Sequence, residues 1–343
     1  MFYLSENFYR DDLDTREVMV SVKCITYNHA DYIKKALEGF VNQKTDFRYE
    51  VIIHDDCSTD GTDLIIKEYA IKYPSIIKPI FETENQYHKK DGSIGRILRR
   101  HTRGKYIAMC EGDDYWIDPF KLQKQVDFLE SHPDYSMIAT NCLYDRNGNM
   151  QPGSWNVQYD YDPEFKEVVF NGGLFLATTS LLTRAKYYPN RPPEVTSQYV
   201  GDYPLQIYFA YIGKVRIIND ITCVYRLMSQ GSWSSMQVKG LNRDKILTRI
   251  KNEHRLLDAM DKVTEYKYHD IFLEQKDYFK LIILEGFNKP FECLPIYLKR
   301  FNAFKKRIGV KALLYRFLQY EVPGFYSVYH SLKTILSSKK AIN

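Results

Sequence analysis

Short apolar runs rich in β-branched residues alternate with amphipathic helical stretches through the first third of the chain, and three of these runs end in polar, turn-forming clusters. Residues 18–26 (VMVSVKCIT) read as a strand that ends in Tyr27-Asn28-His29, and a helix is predicted over 31–43 with Ile33, Leu37, Phe40 and Val41 at helical spacing. Residues 50–54 form a second strand, closed by the turn DDCSTDG at 55–61 and followed by a helix over 62–72. A third strand over 76–81, a basic helix over 94–102 and a fourth strand over 106–110 complete the pattern, and the fourth strand runs into Glu111-Gly112-Asp113-Asp114. Strands that alternate with helices require right-handed crossovers, so the fold class is α/β with a mostly parallel sheet. In such a sheet ligands collect at the carboxyl ends of the strands, so the three polar clusters are expected to converge on one rim.

The second half is less regular. A helix is predicted over 118–131, a strand over 134–143, a loop region rich in Gly, Pro, Asn and Tyr over 144–170, and a further element over 173–183. A helix near 203–211 and two strands, 215–218 and 221–225, follow. Beyond about residue 235 the pattern is helical to the end, with breaks expected at Pro290, Pro295 and Pro323.

The stretch CEGDDYW at 110–116 poses an electrostatic question. Glu111, Asp113 and Asp114 crowd into four positions, and like charges this close raise each other's pKa unless a positive charge sits among them. Neither GxGxxG nor GxxxxGK[ST] occurs, so a phosphate site here has no glycine-rich cradle. A divalent cation held by carboxylates and arriving with a diphosphate is then the expected counter-charge. The alternative is a solvated acidic turn leading to a helix capped by Asp118 before Pro119.

Five segments carry a resemblance to a known family: VSVKCITYNHADYIKKALEGFVNQ, YEVIIHDDCSTDGT, GKYIAMCEGDDYWIDPFKLQKQVDFL, VGDYPLQIYFAYIGKVRII and CVYRL. Together, over roughly residues 18–235, they resemble family 2 glycosyltransferases of bacterial surface-polysaccharide type. The resemblance implies a GT-A fold, which is a Rossmann-like, mostly parallel central sheet flanked by helices, here with a helical C-terminal extension. It divides the chain into a polar leader (1–17), a catalytic domain with a nucleotide-binding half (18–117) and an acceptor-binding half (118–235), and a basic helical region (236–343). It further implies that Thr26, Tyr27, Asn28, Asp55, Asp56 and Ser58 form the pocket for base and ribose, with Tyr27 covering the base and Asp56 accepting from its imide. Asp113 and Asp114 match the family's DxD region, one toward ribose and one toward a Mn2+ or Mg2+ ion, and Glu111 is the third carboxylate of that turn. Asp202 matches the base that activates the acceptor. Tyr225-Arg226 resembles a YR pair often followed by a His two residues on, a place that Met228 occupies here. Arg226, or Arg96, Arg99, Arg100 and Arg103 of the basic helix, would add positive charge near the phosphates.

The reading is therefore a metal-dependent, inverting transferase moving a hexosyl or N-acetylhexosaminyl group from a nucleotide-diphosphate sugar, UDP-linked, to a glycan or lipid-linked glycan. Nucleic acid is not an expected partner. Two rivals are a nucleotidyltransferase of related architecture and a sugar-nucleotide-binding or scaffold protein without turnover. Composition agrees with a packed protein: the chain has 343 residues and 44% hydrophobic content. The six cysteines are scattered without a CxxC pair, so reduced thiols in the cytoplasm are expected rather than disulfides. No export signal and no spanning helix is expected. The net charge of +5 is uneven, since residues 281–343 carry eleven Lys/Arg against three Asp/Glu. Within LKRFNAFKKRIGVKALLYRFLQY, Phe301, Phe304, Ile308, Ala312, Tyr315 and Leu318 share one helical face while Lys305, Lys306, Arg307, Lys311 and Arg316 lie mostly elsewhere. Such a helix suits either an anionic membrane surface, giving a peripheral location at the inner face of the membrane, or packing against protein.

Overall fold

The computed structural model describes residues 16–153, 156–173, 175–196, 201–227, 243–286, 290–309, 312–313 and 315–316. Most of the leader, Met228, Lys311 and Leu318 lie outside the described residues. The chain divides into two compact units, Met1–Lys239 and Gly240–Asn343.

In the first unit, strands β1 (Val18–Thr26), β2 (Arg48–Asp55), β3 (Ile77–Phe81) and β4 (Tyr106–Met109) pair in parallel in the order β3-β2-β1-β4. Helices α1 (Ile33–Val41), α2 (Thr62–Lys72) and α3 (Ser93–His101) make the crossovers. Alternation along β1 and β2 sets the layers. Val20, Val22, Cys24, Val51 and Ile53 face a core shared with Phe40 of α1 and Ile66 of α2, whereas Ile52 faces Ile80 and Leu98 on the α3 side.

After β4 the sheet turns antiparallel. β5 (Tyr115–Trp116) pairs with β9 (Lys214–Arg226), and β8 (Leu182–Arg184) lies between β4 and β6 (Tyr135–Arg146). β6 and β9 are parallel to each other, and β7 (Asn149–Pro152) forms a hairpin with β6. Because β8 bridges β4 and β6, the nucleotide and acceptor halves expected from the sequence share one sheet. Helices α4 (Lys121–Ser131), α5 (Phe165–Asn171), α6 (Pro193–Thr196) and α7 (Asp202–Ile212) complete this unit among the described residues.

Several expectations for the second half are corrected. The strands expected at 215–218 and 221–225 are one strand, β9, whose polar centre is hydrogen-bonded rather than looped out. The Asn141 side-chain amide donates to the Asn219 carbonyl at 3.0 Å, and that of Asn219 donates to the Gln158 carbonyl at 2.8 Å. The expected loop over 144–170 contains β7 and most of α5, the latter opened by a reciprocal cap between Glu164 and Glu167. Helix α4 begins at Lys121 rather than 118, with the Asp118 carboxylate accepting from the Phe120 N–H at 2.8 Å.

The second unit contains α8 (Arg243–Val263), α9 (His269–Gly286) and α10 (Pro290–Ile308). Pro295 lies inside α10 and does not end it. Ile250, Leu281, Leu284, Ile296, Phe304 and Leu313 form its buried cluster, and Asp277 of α9 pairs with Lys299 and Arg300 of α10. The single helix expected over 298–320 is not formed, because α10 ends at Ile308 and Gly309 adopts φ +80°. Phe304 is fully buried in the cluster, while Phe301, expected on the same face, is exposed. No described helix is long and apolar enough to cross a membrane.

Candidate active site

The end of β1 and the turn after β2 are tied together by side chains acting on backbone groups. The Asn28 N–H donates to Ser58 Oγ at 2.9 Å, and Ser58 Oγ donates in turn to Asp55 Oδ1 at 2.5 Å. Asn28 Oδ1 accepts from the Thr59 N–H at 2.8 Å, Thr62 Oγ1 from the His29 N–H at 2.9 Å, and Asp60 Oδ2 from the Ala30 N–H at 2.9 Å. Asn28 and Cys57 take positive φ, so both chains turn sharply at the strand ends. Two segments thirty residues apart thereby become one rim, with Tyr27 standing 42% exposed on it. Burial raises the Asp55 carboxyl, against the lowering effect of its Ser58 hydrogen bonds. Both Asp56 oxygens accept backbone N–H groups, from Gln86 at 2.7 Å and from Tyr87 at 3.0 Å. Asp56 therefore anchors the loop after β3 beside the rim.

The turn after β4 lies directly against the end of β1. The Gly112 N–H donates to the Ile25 carbonyl at 2.9 Å. A Cβ on Gly112 would stand 2.6 Å from Thr26 Oγ1 and 3.0 Å from His29 Nδ1, a space no other residue can use without displacing them. Thr26 Oγ1, His29 Nδ1 and Asp114 Oδ2 are buried and have no hydrogen-bond partner among the described residues. Buried polar atoms are seldom left unpaired in native proteins, and three of them around one turn mark a place built for a ligand.

The counter-charge that the sequence left to an external ion is supplied in part by the chain. Arg226, at the end of β9, gives its backbone N–H to Asp114 Oδ1 at 2.8 Å and its guanidinium to the Asp113 carbonyl. The guanidinium also lies 3.7 Å from Asp145 and over the rings of Tyr115 and Tyr32, at 4.6 and 5.1 Å. One cation among this many carboxylates leaves an excess of negative charge. Burial, then Asp113 and Glu111, pushes the Asp114 carboxyl well up in spite of Arg226. Glu111 reaches solvent at the cleft, yet the protein around it strips much of its hydration, and with Asp113 and Asp202 this also drives its carboxyl upward. Asp202 opens α7, accepts from the Tyr203 N–H at 2.8 Å, and is raised by burial.

Glu111, Asp113, Asp114, Asp202 and Arg226 are thus brought within electrostatic reach of one another, beside the rim of Thr26, Tyr27, Asn28, Asp55, Asp56 and Ser58. Arg96 is not brought to the carboxylates: it is exposed on α3 and paired with Asp91 at 3.0 Å. Two side chains of the site were named in the sequence motifs but given no role there. Tyr225 is raised first by burial and then by Asp114, Glu111, Asp113 and Asp202, so its phenol lies within electrostatic reach of all four carboxylates. His29, lowered by burial, is the other. Their signal was adjacency, since each neighbours a residue that was selected. The Asp114 Oδ2 carboxylate oxygen, buried and unpaired in a negative environment, is the kind of group a divalent cation fits.

Comparison with known proteins bears on the family and the fold. Residues 21–188 match the model of a family described as Glycosyl transferase family 2. An uncharacterized protein of Mycobacterium tuberculosis is 35% identical over 225 residues, which is 63% of this chain and 61% of the relative, so the match spans about three fifths of that relative's length. Among solved structures, S. aureus TarS 1-349 in complex with UDP-GlcNAc superposes with a TM-score of 0.55 at 16% identity, over 88% of this chain and 79% of that one. A mannosyltransferase from Pyrobaculum calidifontis in complex with GDP-Man and Mn2+ gives 0.52 at 17% identity, over 97% and 89%. At these identities the likeness is one of fold, and the fold is GT-A.

Proposed function

We propose, on the premise of the match of residues 21–188 to the family described as Glycosyl transferase family 2, that the protein moves a sugar from a nucleotide-diphosphate donor, UDP-linked, to a hydroxyl of a glycan or lipid-linked glycan. We infer inversion at the anomeric carbon, dependence on Mn2+ or Mg2+, and a place in bacterial surface-polysaccharide assembly at the inner face of the membrane. The observation that carries the reading is the unpaired Asp114 Oδ2 among four carboxylates within electrostatic reach of Tyr225, at the strand ends where nucleotides bind in such sheets.

The chain's own residues divide the work. Tyr27 is exposed for a base to lie against it, Thr26, Asn28, Asp55 and Ser58 line the polar rim for base and ribose, and Asp56, whose two oxygens accept from Gln86 and Tyr87, holds the loop beside that rim. Asp113 and Asp114 would hold the cation, which supplies charge neutralisation for the departing diphosphate. Arg226 fixes the Asp113–Asp114 turn through two hydrogen bonds and adds positive charge beside it. The acceptor oxygen attacks the anomeric carbon as the bond to the diphosphate oxygen breaks, and Asp202 takes the hydroxyl proton. Burial raises the Asp202 carboxyl above the ordinary carboxylate range, which strengthens it as a proton acceptor. The mannosyltransferase neighbour, solved with GDP-Man and Mn2+, supports the donor class and the metal.

The test is incubation with Mn2+ or Mg2+ and a panel of nucleotide sugars, reading release of nucleoside diphosphate. Metal-dependent release with one donor is expected, and no binding or release with any donor would sink the proposal. Asp202→Asn should spare donor binding and lower transfer by about 100-fold or more, the range of a lost general base. Full activity in that variant would remove Asp202 from the mechanism.

A further inference from the structure

The face of β1 turned away from the core carries a cluster of cations that the transfer site does not use. Lys23, near the middle of β1, has register partners Ile52 on β2 and Met109 on β4, so its side chain points to the α3 side of the sheet. Its Nζ lies 4.8 Å from the centre of the Tyr188 ring, and the Arg191 guanidinium lies 4.3 Å from the same centre. Tyr188 is held beside them by a 3.0 Å hydrogen bond between its hydroxyl and Thr183 Oγ1, and its carbonyl accepts from Arg191 Nε at 3.4 Å. Arg99 of α3 comes within electrostatic reach of both Lys23 and Arg191. Three cations from three separate segments therefore lie within electrostatic reach of one another.

No carboxylate answers them. Among the described residues none of the three forms an ion pair, in contrast to Arg96 and Arg103 on the same basic segment, which are paired with Asp91 and Glu50. Ile25, two residues beyond Lys23 on the same face of a central strand, is 36% exposed, and Met109, the register partner of Lys23 on β4, is half-buried, so the floor here is apolar and open. Burial and the two arginines depress the Lys23 ammonium to about 7. An uncompensated cluster of this kind is costly, and an incoming anion would relieve that cost.

We propose that Lys23, Arg99 and Arg191 form an anion subsite that binds a phosphoryl group of the acceptor, a phosphomonoester or a diphosphate, separate from the donor site. The assignment to the acceptor rests on the transferase reading; the anion site itself does not. Three residues of extended β1 separate Lys23 from Thr26, about 10 Å, so a phosphate held here leaves room for sugar between it and the carboxylates. Arg191 lies on the segment leading into α7, the helix that Asp202 opens, and Tyr208 on that helix contributes to the Arg191 environment. The donor diphosphate would sit at the strand ends instead, beside Asp114 and Arg226.

The experiment is lysine acylation at neutral pH on the full chain in metal-free buffer, read residue by residue by mass spectrometry. Inorganic pyrophosphate should protect Lys23, with no matching effect on exposed lysines such as Lys72. In Arg191→Gln and Arg99→Gln the concentration needed should rise about tenfold, the scale of one charge-assisted contact. The same pyrophosphate should raise the melting temperature of the wild type and not that of Lys23→Gln, so an unreactive Lys23 still leaves a readout. Absence of both effects would overturn the site, and so would equal protection by UDP with Mn2+, because the anion would then be a donor-site ligand. Farnesyl diphosphate acting at lower concentration than pyrophosphate would assign a lipid diphosphate lying on Ile25 and Met109; equal potency would assign a free phosphate. No donor sugar is present, so the outcome is independent of whether transfer is ever observed.

Discussion

The two oxygens of Asp114 have different environments: Oδ1 is fixed by the Arg226 N–H, and Oδ2 is buried without a partner. Asp114→Asn keeps the shape and removes the charge, so metal-dependent nucleotide binding should weaken by more than about tenfold in a titration with Mn2+ present. The same substitution should alter the pH dependence of stability without ligand. The Asp114 carboxyl is raised on folding, so the native state keeps a proton that the unfolded state has released. Stability should therefore fall as pH rises from the ordinary carboxylate range toward neutrality and beyond. Urea unfolding at about pH 5 and about pH 8 should show a steeper loss for the wild type than for Asp114→Asn. Equal slopes would mean that Asp114 is already ionised and compensated. The negative crowding at this turn was legible in EGDDYW, and the resemblance offered Arg226 for the phosphates, but its bonds to the turn itself were not legible. The Arg226 contacts span more than a hundred residues, and no local pattern carries a contact of that range.

The strand ends, rather than any single side chain, assemble the rim, and Gly112 is the tightest point between them. Gly112→Ala would drive a methyl into the Thr26 hydroxyl and the His29 ring, and a strain of about 1–3 kcal/mol is expected, read as a lowered urea midpoint with unchanged slope. Nucleotide binding should suffer as well, because Thr26 and the turn of Asp113 cannot both keep their places. A midpoint within experimental error of the wild type would show that the turn can shift freely. Alternation of apolar residues made β1 to β4 readable, since each is a short uninterrupted run with one helix after it. β9 was misread as two strands because Asn219-Asp220 looks like a turn. In the sheet, Asn141 and Gln158 satisfy Asn219, and β6 takes up the mismatch with register shifts near Asn141. β5 was missed because two residues are too few to show a period.

At the scale of the whole molecule, the basic C-terminal region was read as an amphipathic surface equally suited to lipid or to protein, and its described apolar residues divide between buried and exposed. Phe304 is wholly buried, edge-on to Tyr278 at 5.6 Å and clustered with Leu281, Leu284 and Leu313 within its own unit, whereas Phe301 and Leu298 are exposed. Helical periodicity placed Phe301 and Phe304 together because they stand three residues apart on one helix, and it could not anticipate which of them α9 would cover. Phe304→Ala should cost about 3–5 kcal/mol through lost burial and the cavity left behind, whereas Phe301→Ala should change stability by less than about 0.5 kcal/mol. Hydrogen exchange checks this locally: amides of α9 and α10 should exchange faster in Phe304→Ala, and those of β1, in the other compact unit, should not. The membrane question then reduces to the exposed residues. If Phe301 and Leu298 contact lipid, Phe301→Ala should weaken binding to anionic vesicles while leaving α9 and α10 exchange unchanged, a combination that a purely structural helix would not produce.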